Sequence, residues 1–435
     1  MEEKSATQLD WIFFFKENSL FFLLVFSLYV GQGISYGQIC LFHISILLYF
    51  MKEFRSGFNW RGLLEQNARP FHLFYLMVFI ISAFHPLNYA YLYYYGLSYL
   101  IFGLLWMKKD FILSNYRSIL NFFYVLFSLD IIIAFCELLT PFRYPISRLS
   151  TINHWFGRDY NFFASREECF DWDYVLSSPT GFHWNQNNLA FVLIFFFSVT
   201  FLIKNNWLKN SVRTIIIILV VSTGARLGFY ALILMCLIFW IAEWKFRHWQ
   251  QLLPILTFSF ILTDGFYVLP TQMKKVKEVS IISQSVFTDR FPDYCYEKLS
   301  SSEVRLQLMN EGKELFCKSW MLGNGAGGFT QRMKELNQSK NYKNQLVINA
   351  HNFLIELLVD FGISILFPIG LLFYTILKNV RKKTWQNCWL FVTAFISIIA
   401  GSVMISSLVY FLPFYLFLFL LYIYLSSEKS SFCFD

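Results

Sequence analysis

Four stretches of this chain combine residue types that can do chemistry. In the first, Asn349-Ala350-His351-Asn352-Phe353-Leu354-Ile355-Glu356 runs on to Val359-Asp360-Phe361-Gly362-Ile363. His351 falls at the entrance of an expected helix. That end of a helix carries partial positive charge and free N–H groups, so it favours anions and a neutral imidazole that can accept a proton. Glu356 and Asp360 are four residues apart and share a helix face. The plainer reading makes His351 a helix cap and pairs the carboxylates with buried arginines. In the second stretch, Ser222-Thr223-Gly224-Ala225-Arg226-Leu227-Gly228, an arginine stands where two apolar blocks abut. A fixed guanidinium there can hold a phosphate through two hydrogen bonds. Its alternative is to snorkel or to form a structural ion pair.

The third stretch is Ser302-Glu303-Val304-Arg305 followed by Gly323-Asn324-Gly325-Ala326-Gly327-Gly328. The glycine run lacks the strand–turn–helix context of a dinucleotide fingerprint, so it reads as a tight turn that seats a loop. The fourth, Pro179-Thr180-Gly181-Phe182-His183-Trp184-Asn185-Gln186-Asn187-Asn188, reads as a turn leading into a polar helix start. Trp184 can stack on a sugar or sit in a membrane-interface belt. Asp130 and Glu137, seven apart in an apolar block, are either functional carboxylates or partners of arginines.

The elements that must hold these stretches are apolar. Hydrophobic residues make up 56% of the chain and charged residues only 15%, well below the roughly 25% charged residues of soluble domains. The apolar blocks have the length of roughly 17–25 residues that a bilayer core demands, and backbone groups in hydrocarbon must be paired internally, so the blocks are expected to be helices. Ile215-Ile216-Ile217-Ile218-Leu219-Val220-Val221 lacks the alternation of a membrane β-barrel strand. The expected fold is all-α, a polytopic membrane protein of about twelve transmembrane helices. They are placed at 18–31, 34–51, 71–87, 89–107, 119–139, 187–203, 211–224, 226–242, 249–269, 349–377, 387–404 and 406–425. The first ten residues are polar and acidic without a small-residue cleavage site, so no removable signal peptide is expected.

The +8 formal charge is not spread as in a nucleic-acid binder. It clusters in short connections: Lys52, Arg55, Arg61 and Arg69; Lys108, Lys109 and Arg117; Lys204 and Lys209; Lys245 and Arg247; Lys378, Arg381, Lys382 and Lys383. With the helices as placed, all of these fall on one side, which the positive-inside bias makes cytoplasmic together with both termini. Two long loops, 140–186 and 270–348, then lie outside; loops of this length are functional or disordered, and their aromatic content argues for function. The eight cysteines form no Cys-x-x-Cys pair and no metal-ligand spacing, so neither a metal nor a cofactor is expected.

The ordered set of Pro179-x-Gly181 with Asn185 and Asn188, Thr223-Gly224-Ala225-Arg226, Arg305 with Gly323-x-Gly325, and His351-Asn352-x-x-x-Glu356 with Gly362 resembles the O-antigen ligase and O-antigen polymerase superfamily over residues 180–380. The resemblance implies a glycosyltransferase of the C-type architecture as a single membrane domain, with a large extracytoplasmic loop before the tenth helix. It implies transfer of glycan from an undecaprenyl-pyrophosphate carrier to a hydroxyl without a metal ion. It maps a pyrophosphate-binding role onto Arg226 and Arg305, and places His351 near the acceptor or the leaving group. Asn188, Asn352, Glu356 and Trp184 are the residues expected at the glycan. Ala225 stands where relatives often carry Ser, which leaves the guanidinium itself in place. The partners implied are the lipid-linked glycan, membrane lipids and a chain-length regulator protein, in the bacterial cytoplasmic membrane. The favoured activity is polymerisation of repeat units into surface polysaccharide. The alternatives are a ligase that delivers glycan to a lipid-A core or a protein, and, from another class, a transporter of lipid-linked sugar; the lack of an internal repeat weighs against the last.

Overall fold

Helices dominate because the apolar runs neither alternate nor leave room for strand pairing. In a computed structural model the described residues are 17–57, 60–86, 88–140, 142–145, 147, 150, 156, 178–242, 301–339, 352–380, 385–405 and 408–426. Among the described residues, eight longer helices form the first part in chain order, with two short ones, Trp60–Leu63 and Lys109–Ser114, between them. The eight are α1 (Ser19–Val30), α2 (Leu41–Arg55), α3 (Arg69–Ala83), α4 (Tyr89–Met107), α5 (Tyr116–Leu139), α6 (Gln186–Val199), α7 (Asn206–Ser222) and α8 (Arg226–Ala242). Six follow: α9 (Ser301–Lys318), α10 (Gly328–Ser339), α11 (Phe353–Phe361), α12 (Leu366–Val380), α13 (Trp385–Met404) and α14 (Leu412–Ser426). Among the described residues the strands are one two-residue hairpin, Ser35–Tyr36 with Ile39–Cys40.

Helix α6 is the hub. Every residue from Asn188 to Ser198 is buried, as a helix apolar on all sides requires. It packs on α7, α8 and α13. Gly401 of α13 permits the close approach, since a Cβ there would lie 2.3 Å from the Phe191 ring. Ser397 of α13 has Thr393 O of its own helix at 3.0 Å and Ile194 O of α6 at 3.2 Å as acceptors, so this buried hydroxyl is satisfied at the interface. Aromatic rings fill the seam between α5, α6 and α14: Phe127 stacks on Phe196 at 4.1 Å, and Phe195 on Phe417 at 4.5 Å. Below these rings an apolar groove continues past Phe123 and Leu420 toward Tyr116 and Tyr424.

At one end of the bundle the basic connections meet. Lys108 Nζ lies 2.9 Å from Glu53 Oε2, and Lys109 pairs with Glu65. Asn67 and Asn379 both donate side-chain N–H groups to Ser426 O, at 3.2 and 2.9 Å, and Tyr422 donates to Asn67 O at 2.6 Å. Stretches assigned to one side by their charge are thus joined in space.

Several expectations need correction. Of the twelve spans, two helices among the described residues, Tyr116–Leu139 and Ile363–Val380, are long and apolar enough to cross a membrane. Others, such as Gln186–Leu202 and Leu412–Ser426, are apolar but shorter. The expected span at 249–269 lies outside the described residues. The helix expected from 34 begins at Leu41, because the chain first turns at Gly37, whose φ is +57°. The helix expected over 349–377 is broken: α11 stops at Gly362, whose φ of +70° is left-handed, and a new helical run starts at Ile363. The described part of the 270–348 loop is itself helical, as α9 and α10 joined through the glycine turn.

Candidate functional site

The end opposite the basic connections is where the polar motifs collect. Two carboxylates of α5 fix the entry to α6. Asp130 Oδ1 accepts from Phe182 N at 2.9 Å; its Oδ2 accepts from Tyr29 OH at 2.9 Å and lies 2.9 Å from His183 Nε2. Glu137 accepts from the backbone N–H groups of Tyr144, Thr180 and Gly181 at 2.9, 2.6 and 2.9 Å. Gly181 has φ of +57°, and a Cβ there would collide with Asp130 Oδ1 at 2.0 Å, so the turn needs glycine for both reasons. Arg143 donates to Ser178 O at 2.9 Å; burial lowers its guanidinium pKa, and the Glu137 carboxylate opposes that shift. These two carboxylates therefore seat a loop, with Tyr29, His183 and backbone N–H groups as partners.

The loop delivers a capped helix. Asn185 Oδ1 accepts from Asn188 N at 3.0 Å, as an N-cap does. Asn188 is buried, and its Oδ1 has no hydrogen-bond partner among the described residues. Trp184 is half-buried in the turn ahead of the helix.

Arg226 is the first residue of α8, after a turn in which Thr223 Oγ1 donates to Val220 O at 2.6 Å and Gly224 takes φ of +67°. Two residues on, Gly228 packs against Ile194 of α6 and Met404 of α13, where a Cβ would lie 3.2 and 3.4 Å from them. Asn352, and not its neighbour, caps α11: its Oδ1 accepts from Leu354 N and Ile355 N at 3.1 and 3.2 Å. His351 lies outside the described residues.

One turn into α11, Glu356 is wholly buried. Tyr91, Tyr95, Tyr410 and Tyr415 lie near it. Asp360 is equally buried but does a different job. Its two oxygens accept from Gly327 N at 2.7 Å and Phe329 N at 2.8 Å, while its carbonyl accepts from Gly325 N at 2.7 Å. The glycine run is thus a turn clamped onto the C-terminal end of α11. Ala326 N adds a bond to Ser82 Oγ at 3.0 Å, and Tyr91 OH lies 2.7 Å from Thr330 Oγ1.

Two geometric relations bring most of the predicted residues to one end. Phe353 at the start of α11 and Phe191 near the start of α6 pack on the same ring, Phe414, at 5.9 and 6.0 Å. With Gly228 against Met404, the starts of α6, α8 and α11 all gather round the connection from Met404 to Phe414. Helix α9 runs parallel to α11: Gly312 faces Ile355, where a Cβ would lie 2.6 Å from the side chain, and further on Met321 O accepts from Ile363 N at 2.9 Å. At 1.5 Å per residue, position 305 lies about 10 Å before Gly312, at or beyond the cap of α11. Asn188 and Arg226 therefore occupy first turns, Asn352 is a cap and Arg305 stands in the second turn of α9, all near helix starts, where aligned peptide dipoles favour an anion. Glu356 lies behind them, and Trp184 stands in the turn before α6. The tyrosines round Glu356 and the Tyr29–Asp130–His183 cluster were not foreseen. Tyr91 and Tyr95 are spaced four apart on α4, a signal drowned by the aromatic neighbours in the same helix.

Fold and site together define an all-α chain with span-length apolar helices and a polar end built from helix starts. Residues 211–369 match the family described as O-antigen ligase. The chain is also 25% identical over 257 residues to the teichuronic acid biosynthesis protein TuaE of Bacillus subtilis (strain 168), an alignment covering 54% of this chain and 49% of that protein. The chain thus spans about half the length of this curated relative. It is therefore similar to the O-antigen ligase family over residues 211–369 and to a teichuronic acid biosynthesis protein over about half of each chain. The matched segment includes Arg226, Arg305, His351, Asn352 and Glu356; Trp184 and Asn188 precede it.

Proposed function

We propose that this chain polymerises undecaprenyl-pyrophosphate-linked oligosaccharide repeat units into surface polysaccharide, by glycosyl transfer that needs no metal ion. The observation that carries this reading is the gathering of helix starts, with Arg226 and Asn188 in first turns, Arg305 in the second turn of α9 and Asn352 as a cap. As the bond between the anomeric carbon and the pyrophosphate oxygen breaks, negative charge grows on the leaving group. Two guanidiniums and the aligned helix N-termini offset that charge. The acceptor hydroxyl attacks the anomeric carbon from the opposite face, its proton passes to His351, and the configuration inverts. Trp184, Asn188 and Asn352 serve the glycan. Glu356, being wholly buried, acts as a positioning residue for the start of α11. The apolar groove between α5, α6 and α14 suits the hydrocarbon tail of the carrier.

In this reading the protein spans the bacterial cytoplasmic membrane with its basic end and both termini inside, and the site opens outside. The aqueous loops there receive the growing chain, and a chain-length regulator protein sets the product size. A ligase is the second reading, favoured by the description of the matched family. Deletion of the gene separates the two. A polymerase mutant accumulates single repeat units on its carrier or acceptor, whereas a ligase mutant keeps long chains on the carrier lipid. For the enzymatic step, purified protein is incubated with lipid-linked repeat units and EDTA. Longer glycans from wild type, and none from a folded His351→Ala variant, support the reading. Elongation that stops with EDTA, or that survives in His351→Ala, contradicts it.

A further inference from the structure

A buried acceptor stands in the first turn of α6: Asn188 is 8% exposed, and its Oδ1 has no hydrogen-bond partner among the described residues. Native proteins pair the large majority of buried acceptors, so an orphan at a candidate site asks what completes it. The orphan is held rigidly. Its own backbone N–H is fixed by Asn185, and the preceding turn is fixed by Asp130 and Glu137.

The direction of the side chain follows from the helix. Phe191 and Phe195, three and seven residues on, lie on the same stripe of α6 as Asn188. Phe191 packs on Phe411 and Phe414, and Phe414 carries Phe353 of α11 on another side. Asn188 is thus the polar residue that tops an aromatic stripe directed at the meeting point of α6, α8 and α11.

The missing partner must be a donor. Pyrophosphate oxygens are acceptors and do not answer a carbonyl oxygen. A cation is disfavoured by the positive end of the α6 dipole. A neutral hydroxyl fits both demands, because it donates to Oδ1 and accepts from N–H groups at the helix start. We propose that Asn188 Oδ1 receives a ring hydroxyl of the glycan, which makes Asn188 a specificity-determining residue that reads a sugar and leaves the phosphates to the arginines. The proposal rests on the glycan-transfer reading for the identity of the ligand.

The protein supplies its own control. Gln186 Oε1 is also buried and unpartnered, but two residues away on a helix it points to a different face. The probe is lipid-free oligosaccharide released by partial acid hydrolysis of the host's own surface polysaccharide. Its binding to full-length protein in detergent is followed by saturation-transfer NMR, and thermal unfolding is recorded alongside. Asn188→Leu removes an atom that bonds nothing in the protein, so its unfolding temperature is expected to match or exceed wild type. Its oligosaccharide affinity is expected to fall by more than about tenfold. Asn188→Asp, which keeps an acceptor, is expected to bind within a few-fold of wild type, and Gln186→Met to bind as wild type.

Unchanged binding in Asn188→Leu overturns the proposal. So does an equal loss in Gln186→Met, or a wild-type protein that binds no oligosaccharide. Because the probe carries neither lipid nor pyrophosphate, this result is independent of the elongation assay. Sugar binding without transfer defeats the polymerase reading alone, and transfer with an indifferent Asn188 defeats the subsite alone.

Discussion

Helices α5 and α11 each bury two carboxylates on one face, and the two pairs are used differently. On α5 both Asp130 and Glu137 are saturated by donors from the turn before α6 and from Tyr29 and His183. On α11 Asp360 is saturated in the same way by the glycine turn, at Gly327 and Phe329. Glu356 has a different setting, wholly buried near Tyr91 and Tyr410 with the cap of α11 one turn away. A carboxylate that collects several backbone N–H bonds fixes a turn. Asp130, Glu137 and Asp360 thus hold turns in place, and Glu356 lies behind the start of α11, where we propose that it positions that helix.

The largest stability loss is expected from Asp360→Leu, which leaves the Gly327 and Phe329 N–H groups buried without an acceptor. The cost is about 3–5 kcal/mol, read as a fall in unfolding temperature or loss of monodisperse protein in detergent. A folded but inactive Asp360→Leu protein would move Asp360 to the functional side of the comparison. Glu137→Gln keeps one acceptor oxygen while setting an NH2 against backbone donors, so about 1–3 kcal/mol is expected. Gly362→Ala forces a side chain into φ of +70° with a Cβ 2.3 Å from Met321 O, which costs about 2 kcal/mol. Tyr29→Phe removes one bond to Asp130 and is expected to cost about 1 kcal/mol in the same assay. Glu356→Gln preserves shape and is expected to shift stability least, within about 1 kcal/mol, while polymer output falls by at least tenfold. If its output stayed normal, all four carboxylates would be structural and the comparison would collapse.

Much of the bundle was legible in the sequence, and the reasons differ by element. Helices α4 and α8 lie where their apolar blocks place them, 89–107 and 226–242, because a Lys pair ends the first and a glycine turn opens the second. Helices α9 and α10 were hidden in an expected loop, since their polar sequences contrast with the apolar blocks and only packing of Leu308, Leu315 and Met333 on Val359 reveals their buried side. The break at Gly362 was missed because the apolar run continues through it; what stops α11 is the left-handed glycine against Met321 O. The glycine turn was readable as a turn, but Asp360, which clamps it, lies 33 residues from Gly327. The nest round Glu356 could not be picked out among 25 tyrosines.

We propose that Arg226, at the head of α8, holds the pyrophosphate of the lipid-linked glycan. The most direct test is elongation of polyprenyl-pyrophosphate-linked repeat units by purified protein with EDTA present, comparing wild type, Arg226→Lys and Arg226→Ala. Polymer from wild type, a strong reduction in Arg226→Lys and none from a folded Arg226→Ala is the expected outcome, because a lysine supplies charge without the two-pronged geometry. Full-length polymer from Arg226→Ala would contradict the account.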